Sequence, residues 1–171
     1  MVPTPAVAFL WVLSLTSLFV AAVSDFRHRI IPNQLVMLTA ACGIAIRLLV
    51  DPRSIGWSIG IGGVLLIVLG LGAHRLWIGG GDAKLLAAVT LLVPPGGIMA
   101  LLLVIAIVGG LLSGIYLIAH APARRSALMA VTGAGRVPLV LSRSIPYGVA
   151  IFIGAALIAL TGAARWLYAI S

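Results

Sequence analysis

The sequence contains no glutamate, a single cysteine and few charges of any kind: only 8% of its 171 residues are Asp, Lys or Arg. A water-soluble globular domain carries roughly a quarter charged residues, so this scarcity, set beside 63% hydrophobic residues, excludes that class. The lone Cys42 can form neither an intramolecular disulfide nor a cysteine-based zinc site, and in its apolar run it reads as a packing residue. The three histidines, His28, His74 and His120, lie in separate regions, and without glutamate no His-Glu-x-x-His can exist. A zinc protease is therefore not expected, and neither is a bound metal or other cofactor.

What the chain has in abundance is long apolar runs. A transmembrane helix uses roughly 20 residues, so six spans take about 120 and leave about 50 for every loop and both ends. The expectation is one integral-membrane domain over residues 1–171, all-α, a polytopic bundle of about six transmembrane helices. The runs fall at residues 5–23, 34–50, 55–73, 83–93, 98–119 and 146–164. Residues 1–9 hold no Lys or Arg, so the first reads as a retained span rather than a secretory signal. The fourth is too short: eleven residues rise only about 17 Å. It must begin inside the membrane or draw on residues 76–78 beyond the glycines, which puts Asp82 near or below headgroup level. In the third span Gly56 and Gly60 have small-xxx-small spacing and are assigned to bundle assembly.

The formal charge of +8 arises from eleven Lys and Arg against three Asp. On a soluble domain it would suggest nucleic acid, but this chain has no room for a water-exposed basic face, and a nucleic-acid partner is excluded. The charge instead reports topology. Alternating spans put Arg27, Arg29, Arg75, Lys84, Arg124, Arg125, Arg136 and Arg143 on one side and Arg47, Arg53 and Arg165 on the other. The richer side is assigned to the cytoplasm, with both termini outside. Arg165, Trp166 and Tyr168 read as an interfacial anchor. Asp25 and Asp82 then share the cytoplasmic side on different helices, and Asp51 lies opposite.

An aspartate at bilayer depth costs roughly 2.5 to 3.5 kcal/mol on insertion scales, so each is a functional candidate. Two plainer readings stand beside that one. Asp82 follows three glycines at a helix start, where aspartate serves as an N-cap. Asp25 ends a span beside Arg27 and Arg29 and can pair with them at the interface.

Asp25 belongs to the string Ser24-Asp25-Phe26-Arg27-His28-Arg29-Ile30-Ile31-Pro32-Asn33, of the form Asp-x-Arg followed by Ile-Pro-Asn. Asp82 belongs to Gly79-Gly80-Gly81-Asp82-Ala83-Lys84, of the form Gly-x-Gly-Asp-x-Lys. This pair of motifs resembles the type IV prepilin peptidase family, membrane aspartic proteases of the Gly-x-Gly-Asp kind, and the likeness covers nearly the whole chain. It implies an enzyme of the bacterial inner membrane that removes the short leader of prepilin-like subunits at the cytoplasmic face. Asp25 and Asp82 would be catalytic, supported by Gly79, Gly81, Lys84, Arg27, Pro32 and Asn33. Larger members carry an additional cytoplasmic region with paired cysteines, linked to N-methylation of the product. This sequence lacks that region and is most similar to the short branch serving Flp-type pili. Ile145-Pro146-Tyr147-Gly148 resembles the family's Pro-Tyr-Gly entry to the last span, and reads as a helix start with an interfacial tyrosine rather than a catalytic element.

The chemistry expected of two close carboxyl groups is activation of one water, with a single proton held between them. The glycines permit close approach of chain or substrate. Pro32 suits the first turn of the second span, and Asn33 either caps that turn or contacts substrate. Arg27, Arg29 and Lys84 are expected at lipid phosphates. Lys84, two residues past Asp82, should point away from it on a helix. Ser113 is a helix-packing residue rather than a nucleophile. Two other classes stay open: a proton- or cation-coupled transporter built on the same aspartates, and a non-catalytic pilin assembly factor. Prepilin and membrane lipids are the expected partners, and the oligomeric state is unassigned.

Overall fold

The computed structural model describes residues 4–74, 79–119 and 147–168. Among them the chain is all-helical: α1 (Pro5–His28), α2 (Asn33–Val50), α3 (Ile55–His74), α4 (Gly80–Thr90), α5 (Ile98–Ala119) and α6 (Tyr147–Tyr168). Short 3₁₀ turns, Pro52–Ser54 and Pro95–Gly97, precede α3 and α5, each with its proline at the first helical position, where the missing N–H costs nothing.

Four segments, Pro5–His28, Asn33–Val50, Pro52–Gly72 and Pro95–Ala119, are long and apolar enough to cross a membrane, and Tyr147–Gly162 is a shorter apolar helix. The protein is thus a multi-pass membrane protein. Helix α4 has eleven residues, about 17 Å against a hydrocarbon core of about 30 Å, so it cannot cross alone. It sits instead among its neighbours, touching α2, α3 and α6, while α1 packs on α2 and α6 and α5 packs on α6. Leu85 and Val89 of α4 are wholly buried in one core with Leu18, Leu101, Ile105 and Ile151.

Close approach and buried hydroxyls join these helices, because lipid tails give apolar side chains no reason to prefer protein. Gly43 of α2 faces α4 so tightly that a Cβ there would lie 2.8 Å from the Leu91 side chain and 2.9 Å from its backbone. Between α1 and α2 a buried relay runs from the Thr39 hydroxyl to Ser17 (3.2 Å) and from Ser17 to the Leu35 carbonyl (3.0 Å). Phe19 meets Phe152 of α6 edge to face at 5.5 Å between ring centres, a geometry worth about 0.5–1.5 kcal/mol.

Several expectations are corrected. The first span does not stop at Val23: α1 continues to His28, so Asp25 lies inside a helix. Among the described residues a Cβ at Gly56 or Gly60 meets no atom within 4 Å, and it is Gly62 that faces Thr90. Arg47 lies within the second span as expected and is buried in the last turn of α2. Cys42 is buried and free, as a packing residue should be. Ser113 donates to the Gly109 carbonyl of its own helix at 2.7 Å. Arg75, residues 76–78, His120, Arg124, Arg125, Arg136, Arg143, Ile145 and Pro146 lie outside the described residues, as do the side chains of His74, Arg165, Trp166 and Tyr168.

Candidate active site

The turn that follows α1 sets the position of Asp25. Arg29 adopts the left-handed conformation at φ 58°, and its N–H donates to the Asp25 carbonyl at 2.9 Å, closing the helix with an αL cap. The Ser24 hydroxyl donates to the Ile30 carbonyl at 2.7 Å and ties down the exit. The chain then reverses through Ile31 into α2, which begins at Asn33 with Pro32 just before its first turn.

The Asp25 side chain is 7% exposed and accepts a 2.9 Å hydrogen bond at Oδ2 from the Gly148 backbone N–H. Its partner is therefore an amide at the start of α6 and not a neighbouring arginine; Arg27 and Arg29 are both exposed. The same junction demands glycine, because a Cβ at 148 would stand 3.0 Å from Asp25 Oδ2 and 3.1 Å from its Cβ.

Asp82 stands in the first turn of α4, whose N-cap position is held by Gly79. The plainer reading of Asp82 as a cap is thus not what the helix uses. Its Oδ1 is buried and has no hydrogen-bond partner among the described residues. Its other oxygen leans over Gly79, where a Cβ would come within 2.7 Å. A Cβ at Gly81 would press on Ile31 at 3.2 Å, whereas at Gly80 it would meet open space. The Gly-x-Gly-Asp pattern has a steric cause here: the first and third glycines face the carboxylate and the Ile31 turn, and the middle one faces nothing.

The Asp25 and Asp82 carboxyl groups lie within electrostatic reach of each other. Tyr147, next to Gly148, lies within reach of Asp82 and seats its ring against Gly109, where a Cβ would be 2.8 Å from the ring edge. The start of α6 thus contacts Asp25 through Gly148 and brings Tyr147 within electrostatic reach of Asp82. The sequence marked this segment by its resemblance to the family's Pro-Tyr-Gly entry but read it as a helix start, and nothing in the local string tied Gly148 to Asp25. Asp51 is exposed at the far end of α2, about 27 Å away along the helix.

Lys84 turns away from Asp82 and donates to Asn33 Oδ1 at 3.3 Å. Asn33 thus neither caps α2 nor stands free; it links α2 to α4. Among the described residues no three His, Cys, Asp or Glu side chains group as metal ligands.

The sequence model of the type IV leader peptidase family matches residues 12–115. The chain belongs to this family. The match spans Asp25, Asp82 and every helix from α2 to α4, and ends before α6. No curated protein and no solved structure matches the chain. Membership in the leader peptidase family makes the chain a peptidase, a hydrolase of the membrane, and agrees with the resemblance carried by its two aspartate motifs.

Proposed function

We propose that this leader peptidase is an aspartic endopeptidase of the bacterial inner membrane that cleaves the leader from type IV, Flp-like prepilins at the cytoplasmic face, using Asp25 and Asp82. The observation that carries the reading is the pairing of these two carboxyl groups, from α1 and α4, around the Tyr147–Gly148 step. Asp25 is buried and Asp82 half-buried, and one oxygen of Asp82 has no hydrogen-bond partner among the described residues, as expected of a group that waits for water or substrate.

In the proposed cycle the pair holds one proton. The ionised carboxyl takes a proton from water as the water oxygen bonds to the scissile carbonyl carbon, and the protonated partner donates toward the developing oxyanion. Collapse of the tetrahedral species breaks the C–N bond, and the amine leaves with a proton from the pair. The Gly148 N–H holds Asp25 in register without consuming the oxygen that faces the reaction.

Co-expression of the chain with a prepilin tests this. A leader-sized mobility shift is expected with the wild type and not with Asp25→Asn or Asp82→Asn. A transporter would instead give pH-dependent solute flux without cleavage, and a pilin assembly factor would bind prepilin equally well after both substitutions.

A further inference from the structure

On the face of α4 turned away from the aspartates, helices α2, α3 and α4 enclose a groove of about 540 Å³ that is not part of the proposed reaction. Its walls are apolar, with Ala40 and Ile44 from α2, Ile59, Gly63 and Leu66 from α3, and Ala88 from α4. One end differs. There Asn33 and Lys84 meet in the 3.3 Å hydrogen bond described above, at the same end of the bundle as Asp25 and Asp82.

An apolar groove at bilayer depth does not stay empty, since its lining would forfeit dispersion contacts. From Asn33 to Ile44 the groove runs about 17 Å along α2, and a flexible hydrocarbon chain can follow its apolar walls over that length. The mouth adds the second requirement: the Lys84 ammonium has three N–H donors, and among the described residues Asn33 takes one of them.

We infer that the α2–α3–α4 groove is a binding site for one anionic phospholipid, an acyl chain lying along Ala40, Ile44 and Gly63 and the headgroup phosphate on Lys84. The lipid wedges between α2 and α3, which scarcely touch one another directly and are held together through α4. Lys84 then anchors a lipid on one side of α4 while Asp82 faces the other side, so the occupied groove braces the short helix that carries the carboxyl.

Native mass spectrometry of the delipidated full chain, titrated in detergent with phosphatidylglycerol or with phosphatidylcholine of the same acyl chains, tests the site. One phosphatidylglycerol should remain bound under activation that strips the others, and phosphatidylcholine should bind more weakly. Gly63→Phe, at a position where a Cβ meets nothing within 4 Å, fills the groove and should abolish that adduct; Gly70→Phe, equally open on α3 but outside the groove, should keep it. Ala40→Phe fills the groove from α2 and provides the same test should Gly63→Phe misfold. Lys84→Gln should lower the preference for phosphatidylglycerol by about fivefold, the worth of one cation near an anionic surface. Equal affinity for the two lipids, or an adduct that survives in folded Gly63→Phe and Ala40→Phe proteins, overturns the proposal. If those variants keep the lipid but lose prepilin binding, the groove serves the substrate instead and the proposal is wrong.

Discussion

The backbone N–H of Gly148 donates to the Oδ2 of Asp25 at 2.9 Å, across 123 residues of chain. This bond joins the first helix to the last. It fixes one carboxyl oxygen of a buried aspartate through a neutral backbone donor. A backbone donor is suited to this task because, unlike a lysine or arginine, it cannot follow the carboxylate if that side chain moves.

Gly148→Ala tests that positioning. The added methyl would stand 3.0 Å from Asp25 Oδ2, so the carboxyl must give by a few tenths of an ångström. We expect kcat to fall by roughly tenfold to a hundredfold, as small misplacements of reacting groups do, with KM and the thermal midpoint close to wild type. Single-turnover cleavage of a prepilin alongside a melting curve checks it, and an unchanged kcat would remove Gly148 from the site.

Asp25→Asn and Asp82→Asn should each lower kcat/KM by about 10³-fold or more, the upper range of general acid–base contributions. The double variant should be no worse than either single one, because groups that act as a unit are not additive. Asp51→Asn, exposed at the far end of α2, should match wild type. Losses that multiply in the double variant would show two independent roles.

The proposed cycle uses one carboxyl as base and the other as acid, so activity is lost at low pH, where no base is left, and at high pH, where no acid is left. In proteoliposomes kcat/KM should therefore rise and then fall with pH. A profile with one limb only would contradict a two-carboxyl mechanism.

Helix packing predicts opposite outcomes for glycines that look alike. Gly43→Ala drives a methyl to within 2.9 Å of the Leu91 backbone and should destabilise the bundle by about 1–3 kcal/mol through overpacking. Gly56→Ala and Gly60→Ala meet nothing and should be neutral, or stabilising by up to about 1 kcal/mol through helix propensity. Thermal unfolding in detergent measures all three.

Sidedness can be read with cysteine at exposed sites, the native Cys42 being buried. Arg29→Cys should react with a membrane-impermeant thiol reagent from the cytoplasm only, and Arg53→Cys from the opposite side only. Labelling of both from one side would overturn the assigned topology.

The helices were legible because a bilayer imposes one strong rule: backbone polar groups must be satisfied within the segment, so apolar runs become helices whose ends sit at prolines, glycines and charges. That rule placed α2, α3 and α5 to within a residue or two, and put Asp25 and Asp82 at a common end. The two aspartate motifs named the family from local strings alone.

The rule is silent about neighbours. Lipid tails are as apolar as leucine, so nothing in an apolar run marks which face meets protein and which meets lipid. Gly56 and Gly60 have the spacing of a packing motif and face outward, whereas Gly43, Gly109 and Gly148 make the close contacts. The partnership of Asp25 with Gly148, the turn of Lys84 toward Asn33 and the groove between α2 and α3 arise from how whole helices cross, an arrangement set by contacts far apart in the chain that no short stretch of residues encodes.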